Sequence, residues 1–480
     1  MYFCILIYTK FMFGLDTGLT ILLIICLISV CAFEFINGFH DTANAVATVI
    51  YTHSLKPRIA VIWSGFWNFL GVYTGGIAVA MGIVNLLPTE ALIDQNIYHG
   101  IAMIMALLLT AVIWNLGTWY FGIPCSSSHT LIGSIFGVGI AYMLIPGSSN
   151  VALNWGKVGD VGLSLLISPL FGFGVAILLM LLLKVFFKNN RIFREPSTTK
   201  APPLWIRSIL ILTCTSVSFS HGSNDGQKGV GLVMIILIGI LPTYFALDHA
   251  KNPSELYFKA AAIETSIHKI DTTRLTDKDL SYYHVIMAKA DTIIKYTKNT
   301  TNYESIPSEK RFELRKDIIL IGKSTDKLLA SAQIGSFLKQ DEIAKLKALV
   351  KESKSYTEYA PWWVILMISL SLGLGTMIGW KRIVITIGEK IGKTHLNYAQ
   401  GATAEIIAAS TIAVSTSLGL PVSTTHVLSS GIAGTMVAEN GFKNLQGKTV
   451  RNIGIAWLIT LPVTVLMSGL LFLLLRWIMG

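Results

Sequence analysis

The 480-residue chain is 52% hydrophobic and 14% charged, with a mean hydropathy of +0.61, which excludes a soluble globular protein, whose charged fraction is about 25%. The net charge of +11 does not point to nucleic acid, because Lys and Arg gather in short segments between apolar runs, where the positive-inside rule puts them. Cys4, Cys26, Cys31, Cys125 and Cys214 lie in or beside apolar runs without metal-ligand spacing, so free thiols are expected, with no disulfide framework and no zinc site.

A membrane helix needs about 20 apolar residues. The first such run, Leu19 to Phe35, has no small-residue cleavage site after it and is read as a span. Further runs follow near 59–84, 99–121, 124–145, 161–187, 205–246, 361–380, 396–418, 422–440 and 452–478. They predict an all-α polytopic membrane protein of about 10–12 helices, some broken, with the bilayer as its solvent. The basic connections carry His53, Lys56 and Arg58; Lys188, Arg191, Arg194 and Lys200; Lys381, Arg382, Lys390 and Lys393; and Lys443, Lys448 and Arg451. These are expected inside the cell. The connection at 85–98, with Glu90 and Asp94, is acidic. Counting crossings between these points puts both termini outside, with an odd number of spans in each half. Residues 248–360 are charged and rich in Tyr, with apolar residues at helical spacing in 311–332 and 341–354. They are expected to form a small helical soluble insertion on the outside. The organisation expected is a first transporter repeat at 1–187, a basic cytoplasmic linker at 188–204, the start of a second repeat at 205–247, the insertion at 248–360 and the remainder of the second repeat at 361–480.

Two polar motifs each occur twice. NGFHDTANAV (37–46) matches HGSNDGQKGV (221–230), aligning Asp41 with Asp225; IPCSSSHTL (123–131) matches LPVSTTHVL (420–428), aligning His129 with His426. The offsets, 184 and 297, differ by 113, the length of the insertion. Without the insertion the halves fall into register, and an inverted repeat of this kind lets a transporter build two access states around one site.

Asp41 and Asp225 each sit inside an apolar run, where a bare carboxylate costs roughly 2.5–3.5 kcal/mol. Flanking glycines and small polar residues suit a helix that unwinds at mid-membrane, whose carbonyls and carboxylates would hold a cation. In the second motif, Pro124 precedes Ser126, Ser127 and Ser128, and Pro421 precedes Ser423, Thr424 and Thr425. Proline suits the first helical turn, and a helix start rich in hydroxyls suits a tetrahedral oxyanion. The bland reading is that these residues cap and pack helices. His129 and His426 are expected to orient groups or carry protons, since neither has a second metal ligand at helical spacing. Lys228 stands where the first repeat has Asn44, so its ammonium is expected to neutralise Asp225 and replace a bound monovalent cation. Glu34 and Glu405 are each equally a proton site or a packing partner for polar groups.

FEFINGFHDTANAVATVIYT, WNLGTWYFGIPCSSSHTLIG, FSHGSNDGQKGVGLVM, GTMIGWKRIVITIGEKIGK and GLPVSTTHVLSSGIAGTMV together resemble the PiT family of inorganic phosphate transporters, in particular its bacterial PitA-type low-affinity branch. The resemblance covers nearly all of the membrane part. It implies a bacterial inner-membrane carrier with phosphate between the Ser/Thr motifs (Ser126, Ser127, Ser128, Ser423, Thr424, Thr425) and cations near Asp41, Asn44 and Asp225. Many members have ND-x-x-N in both halves. Here His40 and Lys228 depart from that pattern, so sodium sites do not carry over intact, and proton coupling or neutral metal-phosphate transport is favoured. The reading is a non-enzymatic symporter working by alternating access, without a cofactor or resident metal, with phosphate, a coupling cation and lipid as partners and a homo-oligomer open. The alternative is a sulfate or sodium-coupled symporter of the same fold. A hydrolase using Ser128, His129 and Asp41 is disfavoured because adjacent helical side chains diverge by about 100°, and a channel does not need two matched halves.

Overall fold

The computed structural model describes residues 14–86, 97–146, 153, 155–187, 191–196, 200–331 and 333–479. The acidic pair Glu90 and Asp94, Lys188 and Cys4 lie outside the described residues. Chain segments Leu15–Ile240 and Ala360–Gly480 form one compact unit, and Leu241–Tyr359 lies in a second.

In the larger unit, α1 (Thr17–Tyr51) starts at Asp16, whose carboxylate accepts from the Leu19 amide at 2.9 Å, and Pro57 fits the first turn of α2 (Pro57–Thr74). There follow α3 (Ala78–Val84), α4 (Ile97–Tyr120), α5 (Ser127–Met143), α6 (Trp155–Phe186) and α7 (Leu204–His221). A π turn, Gly222–Gly226, then leads into α8 (Gln227–Ile240). The second unit holds a short helical turn, Pro242–Phe245, and four longer helices, α9 (Pro253–Ile267), α10 (Asp277–Thr297), α11 (Ser308–Leu329) and α12 (Gln340–Lys354). The chain returns with α13 (Trp362–Thr376), α14 (Lys381–Glu389), α15 (Tyr398–Ser417), α16 (Thr424–Asn440) and α17 (Gly447–Met479).

Among the described residues, α1, α4, α6 and α17 are each long and apolar enough to cross a bilayer. Two bent pairs pass the same test together, α2 with α3 at 71° and α13 with α14 at 63°. Helices α5 and α16 have 17 residues each, of which 15 and 12 are buried; at about 25 Å they fall short of a hydrocarbon core of about 30 Å. These two helices therefore lie inside the bundle and present few side chains to lipid.

The α2–α3 break is satisfied from a distance. Gln227 accepts from the Val79 amide at 2.7 Å and donates to Gly75 O at 2.9 Å and Ser223 O at 2.6 Å, pairing backbone groups that lipid could not satisfy. Helices α1 and α13 approach closely through Gly38 and Gly375: a Cβ on Gly375 would fall 2.1 Å from Phe35 O, and one on Gly38 2.5 Å from Leu372 O. Small residues at such crossings let helices pack without a hydrophobic driving force in lipid.

The second unit is a four-helix assembly around Leu256, Ile263, Ile286, Ile293, Leu314 and Ile318. Arg315 is buried inside it and donates to Ala246 O at 3.1 Å and Thr357 O at 2.7 Å, tying the first and last segments of the unit together.

Candidate functional site

The two hydroxyl-rich motifs build the same local structure twice. Gly122 and Gly419 adopt φ of +66° and +67°, a left-handed conformation that glycine enters without steric penalty. Four residues later, Ser126 and Ser423 act as N-caps, each hydroxyl accepting from an amide three residues on, His129 N and His426 N, both at 3.1 Å. The prolines do not take the first helical turn expected of them. Pro124 and Pro421 lie two residues before the caps, outside the first turn, because the serines take the cap position that Ser strongly favours.

The starts of α5 and α16 meet. The rings of His129 and His426 are 4.4 Å apart, and His426 stacks on Trp457 at 3.9 Å. His129 Nδ1 is 2.9 Å from Ser126 Oγ.

The acids arrive from α1 and the π turn. Helix α1 runs unbroken through Asp41, so the expected unwinding there does not occur: its backbone ladder stays intact and side chains supply the polar partners. Around Asp225 the helix widens into the π turn and does not open into a loop, because Asn224 anchors it, donating to Thr416 Oγ1 at 2.9 Å and Leu420 O at 3.2 Å and accepting from Val422 N at 3.2 Å. Such single-turn π segments recur at functional positions.

Between these elements lies one polar network. Asp41 accepts from Ser127 Oγ at 3.1 Å, from Asn44 Nδ2 at 3.2 Å and from Thr425 Oγ1. Ser127 Oγ is also 3.3 Å from Asp225, and its single proton serves one carboxylate at a time. Lys228 Nζ lies 2.6 Å from Asp225, 2.7 Å from Ser128 Oγ and 3.4 Å from Ser127 Oγ, while Ser128 donates to Val422 O at 2.7 Å. Asn44 also donates to Thr425 at 3.1 Å. Thr424 is buried and its hydroxyl has no partner. Every one of these residues is less than 10% exposed, so the network is closed to solvent.

Sequence reading left out His221. Its ring sits between the acids, Nε2 at 3.8 Å from Asp41 and 3.6 Å from Asp225. Asn68 Nδ2 donates to Thr376 at 3.1 Å, which turns its oxygen to His221 Nδ1 at 2.8 Å and makes Nδ1 the donor. Nε2 then faces both carboxylates, and ligand atoms of Asp41, His221 and Asp225 lie within 4.8 Å of one another, an arrangement able to hold a cation. The i, i+4 spacing of His221 and Asp225 was the available signal, since such residues share a helix face; Asn68 has no signal in the sequence. His40 is also buried beside Asp41, its Nδ1 3.6 Å from the carboxylate and its Nε2 3.2 Å from Thr118 Oγ1.

Membrane-length helices that enclose acids, hydroxyls, an imidazole and an ammonium define a multi-span membrane protein with a charged, polar centre. The comparisons narrow that class. Residues 37–468 match the phosphate transporter family, and the chain belongs to it. It is 43% identical to a low-affinity inorganic phosphate transporter of Buchnera aphidicola subsp. Acyrthosiphon pisum, over 95% of this chain and 97% of that one. It is 42% identical to the low-affinity inorganic phosphate transporters PitB and PitA of Escherichia coli strain K12, each over 96% of this chain and 97% of the relative. The fold is similar to that of a solved structure described as the sodium-dependent phosphate transporter, with a TM-score of 0.53 and 22% identity over 95% of this chain and 99% of that one. The family is one of transporters, a non-enzymatic function, and Ser128 is bonded to Lys228 and Val422.

Proposed function

We propose that the chain is a secondary active carrier of inorganic phosphate in a bacterial inner membrane, coupled to protons or carrying a neutral metal-phosphate, and working by alternating access. One observation carries the reading: Asp41 and Asp225 share Ser127 at the meeting point of the two hydroxyl-rich helix starts, with Lys228 the one Lys or Arg bonded to that network among the described residues. Ser126, Ser127, Ser128, Ser423, Thr424 and Thr425 would supply neutral donors for the anion, with His129 and His426 beside them. Phosphate brought next to two carboxylates meets a repulsion of about 4 kcal/mol per unit charge pair at 4 Å and an effective dielectric of 20. One ammonium does not offset that. The anion therefore needs companions, and protons taken up within or beside this network, or a divalent cargo at Asp41, His221 and Asp225, supply the missing positive charge.

Closure of the network on all sides supports an occluded state, which opens to each side in turn as the halves move. The basic connections fit a cytoplasmic placement, with both termini and the 248–360 insertion outside.

The test is labelled phosphate uptake by the purified protein in vesicles, with pH, sodium and divalent-metal gradients imposed separately and sulfate as competitor. Accumulation that follows the pH gradient or the metal and resists sulfate is expected. Uptake indifferent to both, or driven by sodium alone, would overturn the reading.

A further inference from the structure

Glu34 lies two turns before Asp41 on α1 and is fully buried. Its Oε2 accepts from Asn37 Nδ2 at 3.2 Å, while Oε1 has no hydrogen-bond partner. The carboxyl is pressed against α8 one residue beyond Lys228, since a Cβ on Gly229 would fall 2.5 Å from Glu34 Cγ and 2.7 Å from Oε1. The charged groups facing it are Lys228, Asp225 and His221, and Cys31 lies one turn earlier on its own helix. Helix α13, packed on the same stretch, carries no titratable residue.

An ionised carboxylate so enclosed, with no cation bonded to it and one oxygen unpartnered, costs several kcal/mol. In this arrangement the carboxyl therefore holds a proton. Glu405 is equally buried and likewise has one oxygen without a partner, the other taking the Thr213 hydroxyl at 2.5 Å; the titratable group that faces it is the neutral Cys214 thiol, not the Lys228–Asp225 pair. A proton on Glu34 is felt by the Lys228–Asp225 pair, whereas one on Glu405 is not.

We propose that Glu34 carries the coupling proton and controls the phosphate site through Lys228, an assignment that rests on the proton-coupled reading above. With the proton on, Lys228 stays on Asp225 and Ser128 and offsets their side of the pocket. When Glu34–CO2H ionises, the proton leaves to the aqueous side then open and a carboxylate remains against α8. That carboxylate draws Nζ away from Asp225, the two acids around Ser127 lose their ammonium, and phosphate is repelled. Reprotonation lets Lys228 return.

The experiment compares wild type, Glu34→Gln, Glu34→Asp and Glu405→Gln in vesicles, measuring both phosphate–phosphate exchange and accumulation driven by a pH gradient. Glu34→Gln, fixed in the protonated form, is expected to keep exchange and lose gradient-driven accumulation at least tenfold. Glu405→Gln should keep both. Glu34→Asp, which remains ionisable, should accumulate phosphate with a displaced pH profile, and this variant serves if Glu34→Gln does not insert. In the infrared, the carboxylic acid C=O signal lost at high pH should be smaller in Glu34→Gln than in wild type by the contribution of one carboxyl. Gradient-driven accumulation by Glu34→Gln, loss of its exchange, or an unmoved pH profile in Glu34→Asp each overturns the assignment. Wild type that ignores the pH gradient would instead remove proton coupling itself, and this proposal with it.

Discussion

Replacing Lys228 by Asn makes the second acidic motif match the first, where Asn44 donates to Asp41, and removes a fully buried ammonium. Taking one partner from a buried ion pair costs about 3–5 kcal/mol. An amide donating to Asp225, as Asn44 does to Asp41, restores about 1.5–3 kcal/mol, the worth of a hydrogen bond to a charged group. The net loss expected is about 2 kcal/mol. The space left by Nζ, bounded by Asp225, Ser127 and Ser128, suits a monovalent cation. At 100 times its dissociation constant such a cation stabilises the protein by about 2.7 kcal/mol, enough to cancel the loss. Thermal unfolding in detergent, followed by tryptophan fluorescence, should therefore show a lowered Tm for Lys228→Asn in choline chloride and recovery in sodium chloride, with wild type insensitive to the exchange. A variant as stable as wild type in choline, or one that sodium does not rescue, refutes the view of Lys228 as a built-in cation.

Asp41→Asn sets an amide donor against the donors of Asn44, Ser127 and Thr425; phosphate uptake should fall about 100-fold, near 2.7 kcal/mol, while membrane insertion measured by fractionation is unchanged. Gly375→Ala drives a methyl group into the Phe35 carbonyl, and the forced separation of α1 and α13 should cost about 1–3 kcal/mol, seen as a lower Tm. Arg315→Met leaves Ala246 O and Thr357 O without their donor, a loss of about 1–3 kcal/mol for a buried unsatisfied acceptor; limited trypsin digestion within 241–359 should accelerate, and an unchanged rate would mean the Arg315 clamp contributes nothing.

Much of the architecture is written in the linear chain. Apolar runs of membrane length, a charged stretch at 248–360 without one, and two motifs repeated at matched offsets are properties of composition and spacing, and hydropathy works because lipid forces every backbone group into internal hydrogen bonds. The family follows from the same strings. Local rules also set the caps at Ser126 and Ser423, although proline alone pointed to the wrong turn. Tertiary structure decided the rest. Whether α1 stays continuous at Asp41 depends on Ser127, Thr425 and Asn44 arriving to satisfy its carboxylate, and two of those three come from segments 86 and 384 residues away. His221 gains its place between the acids only because Asn68, 153 residues distant, fixes its ring. Glu34 reads like Glu405 in sequence; they differ because packing sets one against the Lys228 turn and the other against a threonine hydroxyl. Hydrophobic period and turn chemistry are local and survive in the string, whereas the state of a buried charge is fixed by whichever groups the fold brings within a few ångströms of it.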